Sequence, residues 1–61
     1  MKAQIYFSLN GAYLGEVEDF DSERYAERCY SPEGHVRADT VLTRKQLDTL
    51  EIADGDLIYA L

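Results

Sequence analysis

The sequence predicts a small α+β domain in which a mostly antiparallel sheet packs against two short helices, in the order β-β-α-β-α-β. Three observations support this class. An alternating apolar segment near the N-terminus runs into an Asn-Gly pair, two later segments begin with helix-capping residues, and the last five residues are almost wholly apolar. A length of 61 residues allows one domain, spanning residues 1–61.

The first two strands form a predicted hairpin. Alternate residues of the first strand are apolar and point one way: Ala3, Ile5, Phe7 and Leu9. This period of two is typical of a half-buried strand. Asn10-Gly11 predicts a two-residue turn, because both turn positions need positive φ. The return strand covers about residues 12–18, and a bulge at Gly15 would turn Val17 toward the core.

A first helix is predicted after the hairpin. Residues 19–22 supply N-cap side chains and acidic residues that complement the helix dipole. Tyr25 and Cys29 are an i,i+4 pair on one side of this helix. Pro32 cannot continue a helix and Gly34 allows a turn, so the helix is expected to end there.

The next predicted elements are a third strand and a second helix. Residues 36–42 alternate between apolar and polar side chains, which indicates a strand. Thr43 and Gln46 have the spacing of a capping box, which predicts a helix start. Leu47 and Leu50 would form the buried stripe of that helix.

The chain is expected to end in a central strand. Residues 53–56, with the sequence Ala-Asp-Gly-Asp, predict a turn. Residues 57–61 are almost wholly apolar, as is typical of a strand with neighbours on both sides.

The charge balance is strongly acidic. Twelve Asp and Glu residues face six Lys and Arg residues, for a formal net charge of −6. This argues against direct nucleic-acid binding, which depends on Lys and Arg at phosphates. It favours a basic protein partner, or else a surface that only maintains solubility. The sequence has no signal-peptide pattern and no membrane-spanning run, so a cytoplasmic location without membrane contact is expected.

Six carboxylates within twelve positions are the predicted electrostatic contacts, opposed within that stretch by Arg24 alone: Glu16, Glu18, Asp19, Asp21, Glu23 and Glu27. Tyr6 and Tyr13 would lie near each other across the hairpin and serve as anchors, since tyrosine is enriched at binding hot spots. The alternatives are a solvated acidic face and an aromatic pair that only stabilises the hairpin.

No catalytic, metal or cofactor site is predicted. The acidic alternation that starts at Asp19 resembles the opening of a calcium loop, but Arg24 replaces the required glycine and Tyr30 the required glutamate. Cys29 and His35 are the only soft metal ligands, whereas zinc needs four. Nothing local indicates an activated thiolate at Cys29. The chain is therefore expected not to be an enzyme.

In size, acidity and lack of catalytic motifs, the chain resembles small phage-encoded anti-CRISPR proteins of the DNA-mimic type. The resemblance depends on the acidic runs at residues 16–23 and 54–56. It implies carboxylates that stand in for backbone phosphates and occupy the basic nucleic-acid channel of a CRISPR effector in the bacterial host cytoplasm. The predicted function is thus a non-enzymatic inhibitor of a basic nucleic-acid-binding protein.

Residues 47–58 are similar to a second pattern, the L-x-x-L-G-I-x-x-G-D-x-I run of AbrB/MazE-like proteins. The family's glycine is Glu51 here, the proline before its helix is missing, and no basic N-terminal strand is present. This resemblance implies a dimeric antitoxin or transcription regulator. The chain is accordingly expected to be a monomer or a homodimer.

Overall fold

The computed structural model describes residues 2–21, 23, 25 and 34–61. Its strands and helices are β1 (Ala3–Phe7), β2 (Tyr13–Val17), β3 (Val36–Arg37), α1 (Ala38–Val41), α2 (Arg44–Thr49) and β4 (Leu57–Ala60). The strands form one antiparallel sheet in the order β2-β1-β4-β3. The predicted fold class is confirmed.

The turn between β1 and β2 is longer than predicted. Phe7 N–H donates to the carbonyl of Ala12 at 2.8 Å, so the loop comprises residues 8–11. Gly11 alone takes a positive φ, of 71°, while the Asn10 side chain accepts a hydrogen bond from Ala12 N–H at 2.9 Å. The predicted inward position of Leu9 is wrong, because this residue lies in the loop and is 83% exposed.

A β-bulge in β2 shifts its pairing with β1 by one residue. Ile5 pairs with Gly15 and Tyr6 pairs with Tyr13, which leaves Leu14 as the extra residue. Val17 consequently points into the core and is 4% exposed. The predicted inward turn of Val17 by a bulge is confirmed, but the extra residue is Leu14 and not Gly15.

The third strand is shorter than predicted, since β3 ends at Arg37 and α1 follows at once. Ala38, Val41 and Leu42 are all buried. Their spacing of three and four residues places them on one side of a helical turn, whereas a strand would have turned Val41 away from the other two. Leu42 N–H donates to the carbonyl of Ala38 at 2.9 Å and closes the turn.

The N-terminus of α2 confirms the predicted capping box. Thr43 Oγ1 accepts from Gln46 N–H at 3.2 Å, and Gln46 Oε1 accepts from Thr43 N–H at 2.9 Å. Leu47 is buried and Leu50 is half-buried against the core. The helix is therefore anchored at its start and by one apolar side.

The C-terminus of α2 is a Schellman motif with an unusual residue. Ile52 N–H donates to the carbonyl of Leu47 at 3.0 Å, and Glu51 N–H donates to the carbonyl of Asp48 at 3.2 Å. Glu51 has a φ of 57°, a left-handed conformation that costs a residue with a Cβ about 1–2 kcal/mol.

Replacing this residue by glycine is expected to stabilise the domain. Glu51 is exposed, so Glu51→Gly removes the strain and loses little packing. The expected net gain in the free energy of unfolding is about 1 kcal/mol. It is smaller than the full cost of the strain because glycine has greater conformational entropy in the unfolded chain. Urea denaturation would measure it, with Glu51→Ala as the control that keeps the Cβ. An equal effect of the two substitutions would contradict this account.

The core lies on one face of the sheet. Its buried members are Ala3, Ile5, Val17, Phe20, Val36, Ala38, Val41, Leu42, Leu47, Ile52, Ile58 and Ala60. The predicted central position of β4 is confirmed, but only one of its faces is buried. Leu57 is 46% exposed and Tyr59 is half-buried.

Most of the predicted helix after Asp21 lies outside the described residues, including Cys29. Glu23 and Tyr25 are helical, and Tyr25 N–H donates to the carbonyl of Asp21 at 3.1 Å. The Tyr25 ring packs edge-on against Phe20, with centroids 5.4 Å apart, and its hydroxyl accepts from Ala60 N–H at 3.3 Å.

Candidate functional site

The predicted acidic contacts separate into three groups. Glu16, Glu18 and Asp19 line one groove at the C-terminal end of β2. Asp21 and Glu23 are exposed but do not line it. The sixth predicted contact, at position 27, lies outside the described residues. The structure therefore brings half of the predicted set to one site.

This groove, called the β2–α2 groove here, has a volume of about 340 Å³. Its lining residues are Glu16, Val17, Glu18, Asp19, Thr43, Lys45, Gln46, Thr49 and Leu50. Its carboxylates thus come from β2 and the residues after it, while Lys45 and polar side chains come from α2 and its N-cap. Such a cleft can receive an extended chain that carries cationic side chains.

Two groove carboxylates form no ion pair within the described part of the chain. No Lys, Arg or His nitrogen there lies within 4.0 Å of the carboxylates of Glu18 or Asp19. By contrast, Asp48 and Asp54 both pair with Arg44, at 3.4 and 2.6 Å. Asp48 in α2 and Asp54 after it are thus partly neutralised, whereas the groove lining carries three carboxylates and one cation, Lys45.

The backbone and the side chain of Glu16 point in different directions. Its register partner is Gln4, whose N–H and C=O are both hydrogen-bonded to Leu61. Backbone groups alternate in direction along an antiparallel strand, so the N–H and C=O of Glu16 point away from β1 toward the open edge. Its side chain lies on the sheet face opposite the core, with one carboxylate oxygen 3.7 Å from Lys2 Nζ.

The two predicted tyrosine anchors begin an aromatic row that crosses the sheet. Tyr6 and Tyr13 are direct cross-strand partners, with ring centroids 5.4 Å apart at 61°. On its other side Tyr6 stacks on Tyr59 at 5.3 Å and 11°, and Tyr59 lies 6.0 Å from His35. The row lies on the sheet face opposite the core.

Tyr13 is the tyrosine of this row that is most open to a partner. It is 56% exposed, and its hydroxyl donates to Gln4 Oε1 at 2.7 Å. Tyr6 is half-buried between its aromatic neighbours. The pair therefore stabilises the hairpin, and Tyr13 also offers contact area next to Glu16.

Sequence reasoning missed two components of this surface. Tyr59 and His35 extend the aromatic row because β4 lies between β1 and β3, and no local pattern encodes that order. Lys45, Thr49 and Leu50 complete the groove because α2 packs beside β2. The only sequence feature that indicated this surface was the alternation of Tyr59 with Ile58 and Ala60, which places Tyr59 on the sheet face opposite the core.

The described residues contain no group of three or more His, Cys, Asp or Glu side chains that could hold a metal ion. Within the same residues no helix is long and apolar enough to cross a membrane. Comparison with protein-family models, curated proteins and solved structures finds no match to this chain.

Proposed function

We propose that this chain is a non-enzymatic inhibitor that binds a basic, nucleic-acid-handling protein through the β2–α2 groove and the surface around it. The observation that carries the proposal is the contrast among the acidic residues. Arg44 pairs with Asp48 and Asp54, whereas Glu18 and Asp19 form no ion pair with any described basic side chain, although Lys45 lines the same groove. A basic partner would supply the missing charge.

The physical basis is the shared chemistry of carboxylate and phosphate. Lys and Arg side chains that bind backbone phosphates also form charge-assisted hydrogen bonds with carboxylates. The most specific form of the proposal is a phage anti-CRISPR protein that acts in the bacterial cytoplasm and blocks target DNA binding by a CRISPR effector. Tyr13 beside Glu16 would add an aromatic contact at the edge of the acidic surface.

A pull-down from a bacterial lysate that contains a CRISPR effector complex tests this proposal. The tagged chain is expected to retain an effector subunit, identified by mass spectrometry, and added DNA or high salt is expected to displace it. Recovery of no nucleic-acid-handling protein, or retention that DNA does not affect, would overturn the proposal.

Charge reversal in the groove is expected to weaken this binding selectively. Glu18→Lys combined with Asp19→Lys removes two unpaired carboxylates and should lower affinity for the effector about tenfold or more. Asp48→Lys combined with Glu51→Lys is the matched control, because it makes the same change in net charge on exposed residues outside the groove. Surface plasmon resonance would compare them, and equal losses would show that only net charge matters.

One observation favours a second candidate, a dimeric AbrB/MazE-like antitoxin or transcription regulator. The position of the family's first glycine, Glu51, has a φ of 57°, and Gly55 at its second has a φ of 88°. Both are values that glycine adopts readily. Analytical ultracentrifugation tests this candidate, because an intertwined dimer would sediment as two chains at every accessible concentration and a monomer would exclude it.

A further inference from the structure

The outer edge of β2 is open. β2 lies at the end of the sheet, and within the described part of the chain its outer edge pairs with no strand. The N–H and C=O of Glu16 point toward this edge, as the pairing of Gln4 with Leu61 requires. An open edge of this kind can pair with an additional strand. At the other end of the sheet, β3 has only the two residues Val36–Arg37.

The lining of the β2–α2 groove includes Glu16, whose N–H and C=O point toward the open edge, and it has further features that an added strand needs. The half-buried Leu50 offers apolar surface, while Glu18 and Asp19 offer negative charge. Successive side chains of an extended peptide point to opposite sides. A peptide that alternates apolar and basic residues could therefore place its apolar side chains and its cations on different walls of the groove.

We propose that an extended basic segment of the partner binds in the β2–α2 groove as an added strand on β2. Its main chain pairs with Glu16, and its Lys or Arg side chains face Glu18 and Asp19. This inference specifies the partner chemistry of the proposed function and so depends on it. A second copy of the chain is disfavoured as the occupant, because β2–β2 pairing would bring the same carboxylates of two copies together.

The first experiment uses a fluorescein-labelled hexapeptide of alternating valine and lysine, and fluorescence anisotropy measures its binding. Two N-methylated versions carry their methyl groups on opposite sets of alternate amides. Because only one set faces β2, one methylated peptide is expected to bind about tenfold more weakly than the parent while the other binds nearly as well. Equal binding of both, or equal loss of both, would overturn the inference.

The second experiment changes the chain at one residue. Glu16→Gln removes the charge and keeps the outward N–H, whereas Glu16→Pro removes both. Proline is tolerated on an edge strand where the N–H points outward. The proline variant is expected to bind the valine–lysine peptide about tenfold more weakly than the glutamine variant. Equal affinities of the two folded variants would contradict strand addition, and if the proline variant does not fold, the methylated peptides decide.

These outcomes separate the inference from the proposed function. If effector binding requires Glu18 and Asp19 but the two methylated peptides bind alike, strand addition is wrong and the proposed function stands. If the peptides discriminate as expected but no nucleic-acid-handling protein is retained, the groove binds strands and the proposed function fails. NMR amide shifts upon peptide addition should concentrate in residues 16–19 and 43–50, and shifts confined to other residues would also overturn strand addition.

Discussion

Replacing Ile58 by alanine is expected to remove most of the free energy of unfolding of the domain at 25 °C. Ile58 has no exposed surface and lies in the central strand β4, opposite Phe7 in β1 and Val36 in β3. Removing a buried isoleucine side chain costs about 2–5 kcal/mol through lost burial and the cavity that remains. A core in a domain of this size rarely supplies more than about 3–5 kcal/mol, so little stability would be left.

The neighbouring residue provides a matched control for Ile58→Ala. Leu57 precedes Ile58 on the same strand, but it points to the opposite face and is 46% exposed. Leu57→Ala is expected to change the free energy of unfolding by about 0.5 kcal/mol or less. Urea denaturation followed by circular dichroism would measure both variants. Similar losses for the two would contradict the one-sided core described above.

Gly15→Ala is expected to destabilise the domain by about 2–3 kcal/mol, for two reasons. Gly15 has a φ of 155°, outside the range that residues with a Cβ readily adopt, and such strain costs about 1–3 kcal/mol. A Cβ at this position would also overlap the Leu50 Cδ2 atom. Since Leu50 carries this atom at the end of its side chain, part of the overlap can be relieved by a rotamer change at some cost.

A second glycine and a double variant separate these two contributions. Gly55 has a φ of 88°, and a Cβ there would meet no atom within 4 Å, so Gly55→Ala carries the backbone cost alone. Gly15→Ala should therefore cost more than Gly55→Ala. In a Leu50→Ala background the overlap is gone, and the cost of Gly15→Ala is expected to fall toward that of Gly55→Ala. An unchanged cost in that background would show that Leu50 plays no part.

The bulge at Leu14 connects this backbone geometry to the proposed binding surface. It shifts the register so that Tyr13 pairs with Tyr6 while Val17 still points into the core. The same register pairs Glu16 with Gln4 and so turns the Glu16 backbone toward the groove. A bulge of this kind commonly re-aims a strand at its edge. One extra residue thus sets both the tyrosine pair and the outward direction of the Glu16 backbone groups.

Local sequence signals predicted the elements that depend on neighbours in the chain. The capping box of Thr43 and Gln46 formed as expected, because both partners lie within one helical turn. The inward turn of Val17 followed from alternation plus a bulge beside glycine. The third strand was predicted too long. The same residues, 36–42, alternate as a strand would but also carry Ala38, Val41 and Leu42 at helical spacing. Burial of these three side chains in the core favours the helix.

The sequence by itself determined the fold class, the acidic character and the proximity of Tyr6 and Tyr13 across the hairpin, since each depends on composition or on a short separation along the chain. Tertiary structure decided which other residues the tyrosines and the carboxylates contact. Pairing of β1 with β4 extends the aromatic row to Tyr59, and packing of α2 beside β2 turns scattered carboxylates into one groove. Both contacts join residues far apart in the chain. Their formation reflects the burial of one shared apolar face, which no local pattern encodes.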